Sequence, residues 1–253
     1  MKIQYASDLH LEFADNWRFL KCQPLKPVGE ILILAGDIGY LGDDNYKKHP
    51  FWDLVSETYK HVIIIPGNHE FYKFYDLASV QDGILTEIRH NVIVYYNDVV
   101  NIGDAEIILS TLWGKIYIQD AFATECGVTD FRRIRYGIES LTYTGFNAEH
   151  ERCVRFLKDR CMQPTKKSRI IVTHHLPSFQ LLSSDFRDSK INGDFVYDED
   201  ALIETSGAKY WIYGHSHRNI NKQIGCTTCL CNQLGYVMNG EHTSFNPMAY
   251  IEV

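Results

Sequence analysis

Five short stretches of this 253-residue chain concentrate groups that can bind metal: Asp8-Leu9-His10, Gly36-Asp37, Asn68-His69, His174-His175 and His215-Ser216-His217. Each alone is ordinary, since Asp is a common turn former and most single histidines sit on the surface or in satisfied core positions. Together they need a shared explanation. A core cannot keep so many polar groups unpaired, whereas a metal centre satisfies carboxylates, imidazoles and an amide at once. Oxygen and imidazole donors without thiolate suit Mn, Fe, Zn, Co, Ni or Mg, with manganese preferred. The candidates are Asp8, His10, Asp37, Asn68, His174 or His175, His215 and His217. That is too many for one four-coordinate site with an open position, so two ions bridged by a carboxylate are more economical. Two ions about 3.5 to 4 Å apart form a clamp for in-line attack on phosphorus.

The elements that must position these groups are legible around them. The runs KIQYAS, ILILA, VIII, RIIVT and YWIY are short and rich in apolar residues, and each stops at one of the five polar stretches. In α/β folds, ligands gather outside the carboxyl ends of strands, so five polar strand ends predict one site. Further strands are expected at 92–96, 106–110, 222–231 and 248–253. Helices are expected from Pro50 through Phe51, Leu54, Val55 and Tyr59, and along the stripe Val80, Ile84, Leu85 and Ile88. A third should be capped by Asn147 and carry Cys153, Val154, Phe156, Leu157 and Cys161 inward. Strands alternating with helices, then a late cluster of strands, indicate an α/β protein with a mixed sheet or a second sheet. His215 and His217 follow their strand in a loop, where the two rings can be aimed separately.

Hydrophobic residues at 45% and charged residues at 23% are ordinary for a globular protein, and no linker-like tract interrupts the chain, so residues 1–253 read as a single domain. The N-terminus lacks the apolar stretch of a signal peptide, and the apolar runs are too short to span a bilayer; the expected location is the cytoplasm. Seven cysteines without a secreted-type framework fit reduced thiols, and the alternation in CTTCLC suits a strand better than a zinc knot. A net charge of -7 argues against broad nucleic-acid binding.

The ordered set SDLH, GDI, GNHE, THH and GHSH resembles the five-block signature of the calcineurin-like metallophosphoesterases, from Asp8 to His217. The resemblance implies an α/β fold built as a four-layer αββα sandwich, two mixed β-sheets flanked by helices. It also implies a dinuclear metal centre at the strand ends. By motif position, Asp8, His10 and His217 would bind one ion, Asn68, His174 and His215 the other, and Asp37 would bridge. His174 is preferred over its neighbour because it holds the family's position nearest the strand end. The implied reaction is hydrolysis of a phosphomonoester or phosphodiester by in-line attack of a hydroxide held by the two ions. His69 matches the family's catalytic histidine, assisting the departing oxygen.

STLWG, TDFRRIR, THHLPS and CNQLGY resemble an uncharacterised bacterial or phage-type branch of the same superfamily. That likeness implies that Trp113, Arg132, Arg133 and Tyr236 border the substrate, and His175, as the other member of the THH pair, is expected either to support the ligands from behind or to face the substrate. At CNQLGY the chain departs from the branch, where proline and arginine more often follow the asparagine; Gln233 and Leu234 cannot replace that arginine's charge. Pocket shape is expected to come from residues 97–163. The favoured partner is a small phosphorylated molecule, not a membrane. A nuclease has only the RRIR cluster in its support, and a non-catalytic scaffold would have lost ligands that this chain keeps.

Overall fold

A computed structural model describes residues 1–253. In chain order the first strands are β1 (Lys2–Ala6), β2 (Ile31–Ala35), β3 (His61–Ile65), β4 (Gly83–Arg89), β5 (Val92–Tyr96), β6 (Asp98–Ile102) and β7 (Ala105–Leu109). They are followed by β8 (Arg135–Tyr136), β9 (Glu139–Ser140), β10 (Ser168–Val172), β11 (Ala208–Tyr213), β12 (Lys222–Ile224), β13 (Thr227–Cys231) and β14 (Tyr250–Glu252). The helices are α1 (Ala14–Cys22), α2 (Phe51–Thr58), α3 (Ala121–Gly127), α4 (Asp130–Arg133), α5 (Tyr143–Cys161), α6 (Asn192–Phe195) and α7 (Asp200–Thr205).

Two six-stranded mixed sheets run in the orders β14-β1-β2-β3-β5-β4 and β12-β13-β11-β10-β7-β6, and β8 and β9 form a separate ribbon. Each large sheet has a parallel centre and one antiparallel strand at either edge. Parallel strands covered on both faces must be apolar throughout, which is why ILILA is buried at every position. Its alternate residues serve two cores. Ile31 and Ile33 join Ile3, Ile63 and Ile65 against Ile107, Leu109, Ile170 and Ile212 of the second sheet. Leu32 and Leu34 face outward, beneath Leu20 of α1 and Phe51, Trp52 and Val55 of α2. On the far side, Val154 and Leu157 of α5 and Leu202 and Ile203 of α7 cover Ile108, Ile171 and Trp211. The layers are therefore helix, sheet, sheet, helix: the four-layer αββα sandwich.

Three expectations need correction. Of the stripe from Val80 to Ile88, Ile84, Leu85 and Ile88 lie in strand β4, paired antiparallel with β5, and Val80 precedes it. An i, i+4 spacing such as Ile84 to Ile88 fits a period of two as well as 3.6, and the β-branched residues here pack as an edge strand. Asn147 lies inside α5, which begins at Tyr143 and is capped by Thr142, whose side chain accepts from Gly145 N. Asn147 instead clips a loop, donating to Ile116 O at 2.9 Å and accepting from Ile116 N at 2.8 Å. The span 222–231 is two antiparallel strands, not one. All seven cysteines are free thiols, and Cys229 and Cys231 point from β13 into the core. No helix is long and apolar enough to cross a membrane.

Candidate metal centre

The polar stretches leave the ends of five strands. Asp8 and His10 follow β1, Asp37 follows β2, Asn68 and His69 follow β3, His174 and His175 follow β10, and His215 and His217 follow β11. The first three strands belong to one sheet and the last two to the other, so the site spans both. Its backbone is unusual. Asp8, His10, Asp37, His215 and His217 all have positive φ, between 47° and 74°. Left-handed residues other than glycine are uncommon and concentrate where function requires a particular aim. In the D-x-H and H-x-H stretches the left-handed residues are the two donors themselves, so each side chain is directed independently of a strand's alternation. Gly67 is a glycine for a steric reason: a Cβ there would overlap Asp37 Oδ1 and lie 2.6 Å from His174 Nε2.

The donor atoms fall into three overlapping groups whose members lie within 4.8 Å of one another: Asp8, His10 and His217; His10, Asp37 and His69; Asp37, His174 and His215. His174 belongs to a group and His175 to none. His10 Nδ1–H donates to Glu12 at 3.0 Å and His217 Nδ1–H donates to Glu241 at 2.7 Å. Their Nε2 atoms then face each other at 3.0 Å, two lone pairs pointing into one space. His174 repeats the arrangement, with Nδ1–H donating to Ala35 O at 2.9 Å and Nε2 aimed at Asn68 Oδ1 (3.2 Å) and Asp37 Oδ1 (3.4 Å). His215 Nε2 is buried without a partner. Acceptors aimed at acceptors require positive charge between them, and imidazoles that give their other N–H to oxygen are the usual metal-ligating form. The donor set fits divalent cations.

The protonation preferences carry the same message. Burial holds His10 and His215 below the ordinary imidazole range, so both favour neutral, ligating rings. Burial also opposes charge on His174 and His217, but Asp37 raises the first to about 9, and Asp8 with Glu241 raises the second to about 10. Without a cation, protons on the imidazoles are the charge available to these carboxylates.

A sequence profile of the family described as calcineurin-like phosphoesterase matches residues 1–219. The chain belongs to the calcineurin-like phosphoesterases. Membership makes it a hydrolase acting on phosphoester bonds. An uncharacterised protein of Acanthamoeba polyphaga mimivirus is 26% identical over 279 residues, covering 99% of this chain and 96% of its own length. A phosphopantetheinyl hydrolase from Mycobacterium tuberculosis superposes with a TM-score of 0.69 over 99% of this chain and 95% of that one, at 16% identity, a likeness of fold.

Three carboxylates of this phosphoesterase escaped the sequence reading. Glu12, two residues beyond His10, accepts from both His10 Nδ1 and His69 Nδ1, the latter at 2.8 Å. The imidazoles hold its carboxyl at about 2 despite burial. Glu70, inside GNHE, accepts from the backbone N–H groups of Gly67, Asp37, Ile38 and Gly39 at 2.7 to 3.1 Å, tying the β2 loop to the β3 loop. Glu70 lies within a quoted motif and Glu12 two residues past one, and an acid adjoining candidate ligands was the signal that could have found them. Glu241 lies 24 residues beyond His217, and no local spacing points to it.

A pocket of about 310 Å³ opens over the centre, lined by Asp37, Asn68, His69, His215, His217 and Tyr236 among others. Tyr236 lines it, with its hydroxyl 3.3 Å from His69 Nε2. Four other expected substrate contacts do not line it. Trp113 is fully buried, donating to Tyr96 OH, because its large apolar ring belongs to the core beneath α5. His175 is fully buried too, its ring 5.1 Å from Trp113 and 4.2 Å from His215. Arg132 turns outward to Cys126 O, and the Arg133 guanidinium lies over Tyr72 and Tyr40 at 4.9 and 5.3 Å. Residues 97–163 supply only part of the lining; Phe186, Ile191, Asp194 and Phe195 form another part, together with Arg218. At CNQLGY, Gln233 accepts from His217 N at 2.6 Å and Leu234 is core, so this stretch shapes the GHSH loop.

Proposed function

We propose that this protein hydrolyses a small phosphomonoester or phosphodiester at a pair of divalent cations, with residues 1–253 acting as one domain. The observation that carries the reading is the division of the Asp37 carboxylate. Its Oδ1 faces His174 Nε2 at 3.4 Å, and its Oδ2 faces His10 Nε2 at 3.8 Å. A carboxylate with one oxygen toward each imidazole group suits a bridging ligand. Asp8, His10 and His217 would hold one ion and Asn68, His174 and His215 the other. When bound, such ions act as Lewis acids on phosphoryl oxygens and acidify water.

The remaining work falls to side chains. Because Glu12 holds the His69 Nδ1 proton, Nε2 is the atom that exchanges a proton with the departing oxygen. Tyr236 orients that nitrogen from the pocket side. Arg218 lines the same pocket and can take a phosphoryl oxygen as a forked donor. The pocket volume of about 310 Å³ suits a small ester, and RRIR does not line it, which disfavours a nuclease.

The test measures metal content and turnover of p-nitrophenyl phosphate and bis(p-nitrophenyl) phosphate after chelation and reconstitution with Mn, Fe, Zn, Co, Ni or Mg. Asp37→Asn is expected to lower bound metal and turnover together. Full activity in that variant would remove the bridging role.

A further inference from the structure

The wall of the pocket away from the imidazoles contains two acids that the hydrolytic reading leaves unused. Asp130 begins α4 and Asp194 lies in α6, and both line the pocket. Asp130 is fully buried and Asp194 only 1% exposed. Asp130 Oδ1 accepts from Asn68 Nδ2 at 2.9 Å and from Tyr72 OH at 2.6 Å. Asp130 Oδ2 and both oxygens of Asp194 have no partner of any kind. Buried carboxyl oxygens are costly to leave unpaired, and a donor, best a cationic one, is the group that satisfies all three open oxygens of this wall together. Tyr72, Phe186 and Phe195 also line the pocket, and an aromatic face adds attraction for a cation placed over it. Arg218 lies in the same lining, so the pocket holds both a cationic and an anionic recognition element.

We propose that Asp130 and Asp194 bind a cationic N–H donor on the alcohol portion of the substrate, making the preferred substrate an aminoalkyl-type phosphoester. This rests on the reading that the histidine and aspartate centre takes the phosphoryl group. Asn68 connects the two regions, since it is a candidate ligand through Oδ1 and donates to Asp130 through Nδ2. A short alkyl spacer between phosphorus and nitrogen is therefore implied. The Asp194 side chain makes no hydrogen bond that supports the fold, so its unpaired burial is a cost to the folded state that ligand binding offsets.

The experiment measures binding to metal-loaded protein by calorimetry, using non-hydrolysable aminoalkylphosphonates with two to four carbons, the matching alkylphosphonates and the matching hydroxyalkylphosphonates. The best aminoalkyl compound should bind about tenfold or more tightly than both counterparts, as expected for charge-assisted hydrogen bonds. Asp194→Asn should collapse that ratio while raising the melting temperature of the ligand-free protein. No preference in the native protein, an equal preference for the hydroxyl series, or an unchanged ratio in the variant would overturn the proposal, as would a lower melting temperature, which marks a structural acid. Turnover of p-nitrophenyl phosphate is followed in parallel. Its absence alongside an intact binding preference would count against the hydrolase reading and leave this one standing.

Discussion

His69 shows how much a single far-side hydrogen bond decides. Glu12 takes the proton of its Nδ1, which leaves Nε2 facing Tyr236 and the pocket, and the same Glu12 oxygen directs His10 Nε2 toward the opposite group of donors. Burial works against charge on His69, but Asp37 and Glu12 raise its pKa, which suits a proton donor. His69→Asn should reduce turnover of esters with poor leaving groups by roughly 10²-fold or more, with a much smaller effect on p-nitrophenyl esters and on metal content. Equal losses on both ester types would remove the acid role. His150 offers a test remote from the site. Its buried ring donates to Trp113 O at 3.0 Å, and burial holds its pKa down at about 4. The unfolded chain takes up this proton near the ordinary value of about 6.5, so the contribution is present above that pH and declines as pH falls toward 4. Between pH 7 and pH 5 the native protein should lose about 2 kcal/mol more stability than His150→Gln. Parallel losses in urea unfolding would show that His150 is not the source.

At the scale of elements, the five strands that end in candidate ligands were legible because each is a short apolar run stopped by polar residues. Helix α5 was legible from its inward stripe, although its start was misplaced: Asn147 is a plausible cap by type, but Thr142 does the capping. Strand β4 was not legible as a strand, since an edge strand paired on one side has a weak pattern that also fits a helix. Leu157, fully buried between α5 and the second sheet, measures what this helix contributes. Leu157→Ala should lower unfolding free energy by about 3 kcal/mol, read from denaturant midpoints, with metal content unchanged. A loss of metal with no loss of stability would mean that α5 positions the site rather than the sheet.

At the scale of the molecule, the centre draws three of its strand ends from one sheet and two from the other, so bound cations would link the sheets. Chelation should lower the melting temperature, and readdition of metal should restore it, because a ligand bound only by the folded state stabilises by mass action, by about 4 kcal/mol at a thousandfold excess over its dissociation constant. An unchanged melting temperature after verified metal removal would contradict this linkage. The sequence by itself determined the family and the α/β class and named the candidate donors, because motif identity and strand-end position are local properties of the chain. It did not distinguish a ring facing the pocket from one packed in the core: Trp113 and His175 look suited to a substrate yet lie behind the centre. It also left Glu241 and the Asp130–Asp194 wall unseen, since those groups reach the site through tertiary packing from segments with no shared spacing. Only the folded sandwich decided which side chains share a pocket, because burial and approach between distant segments depend on how the layers stack.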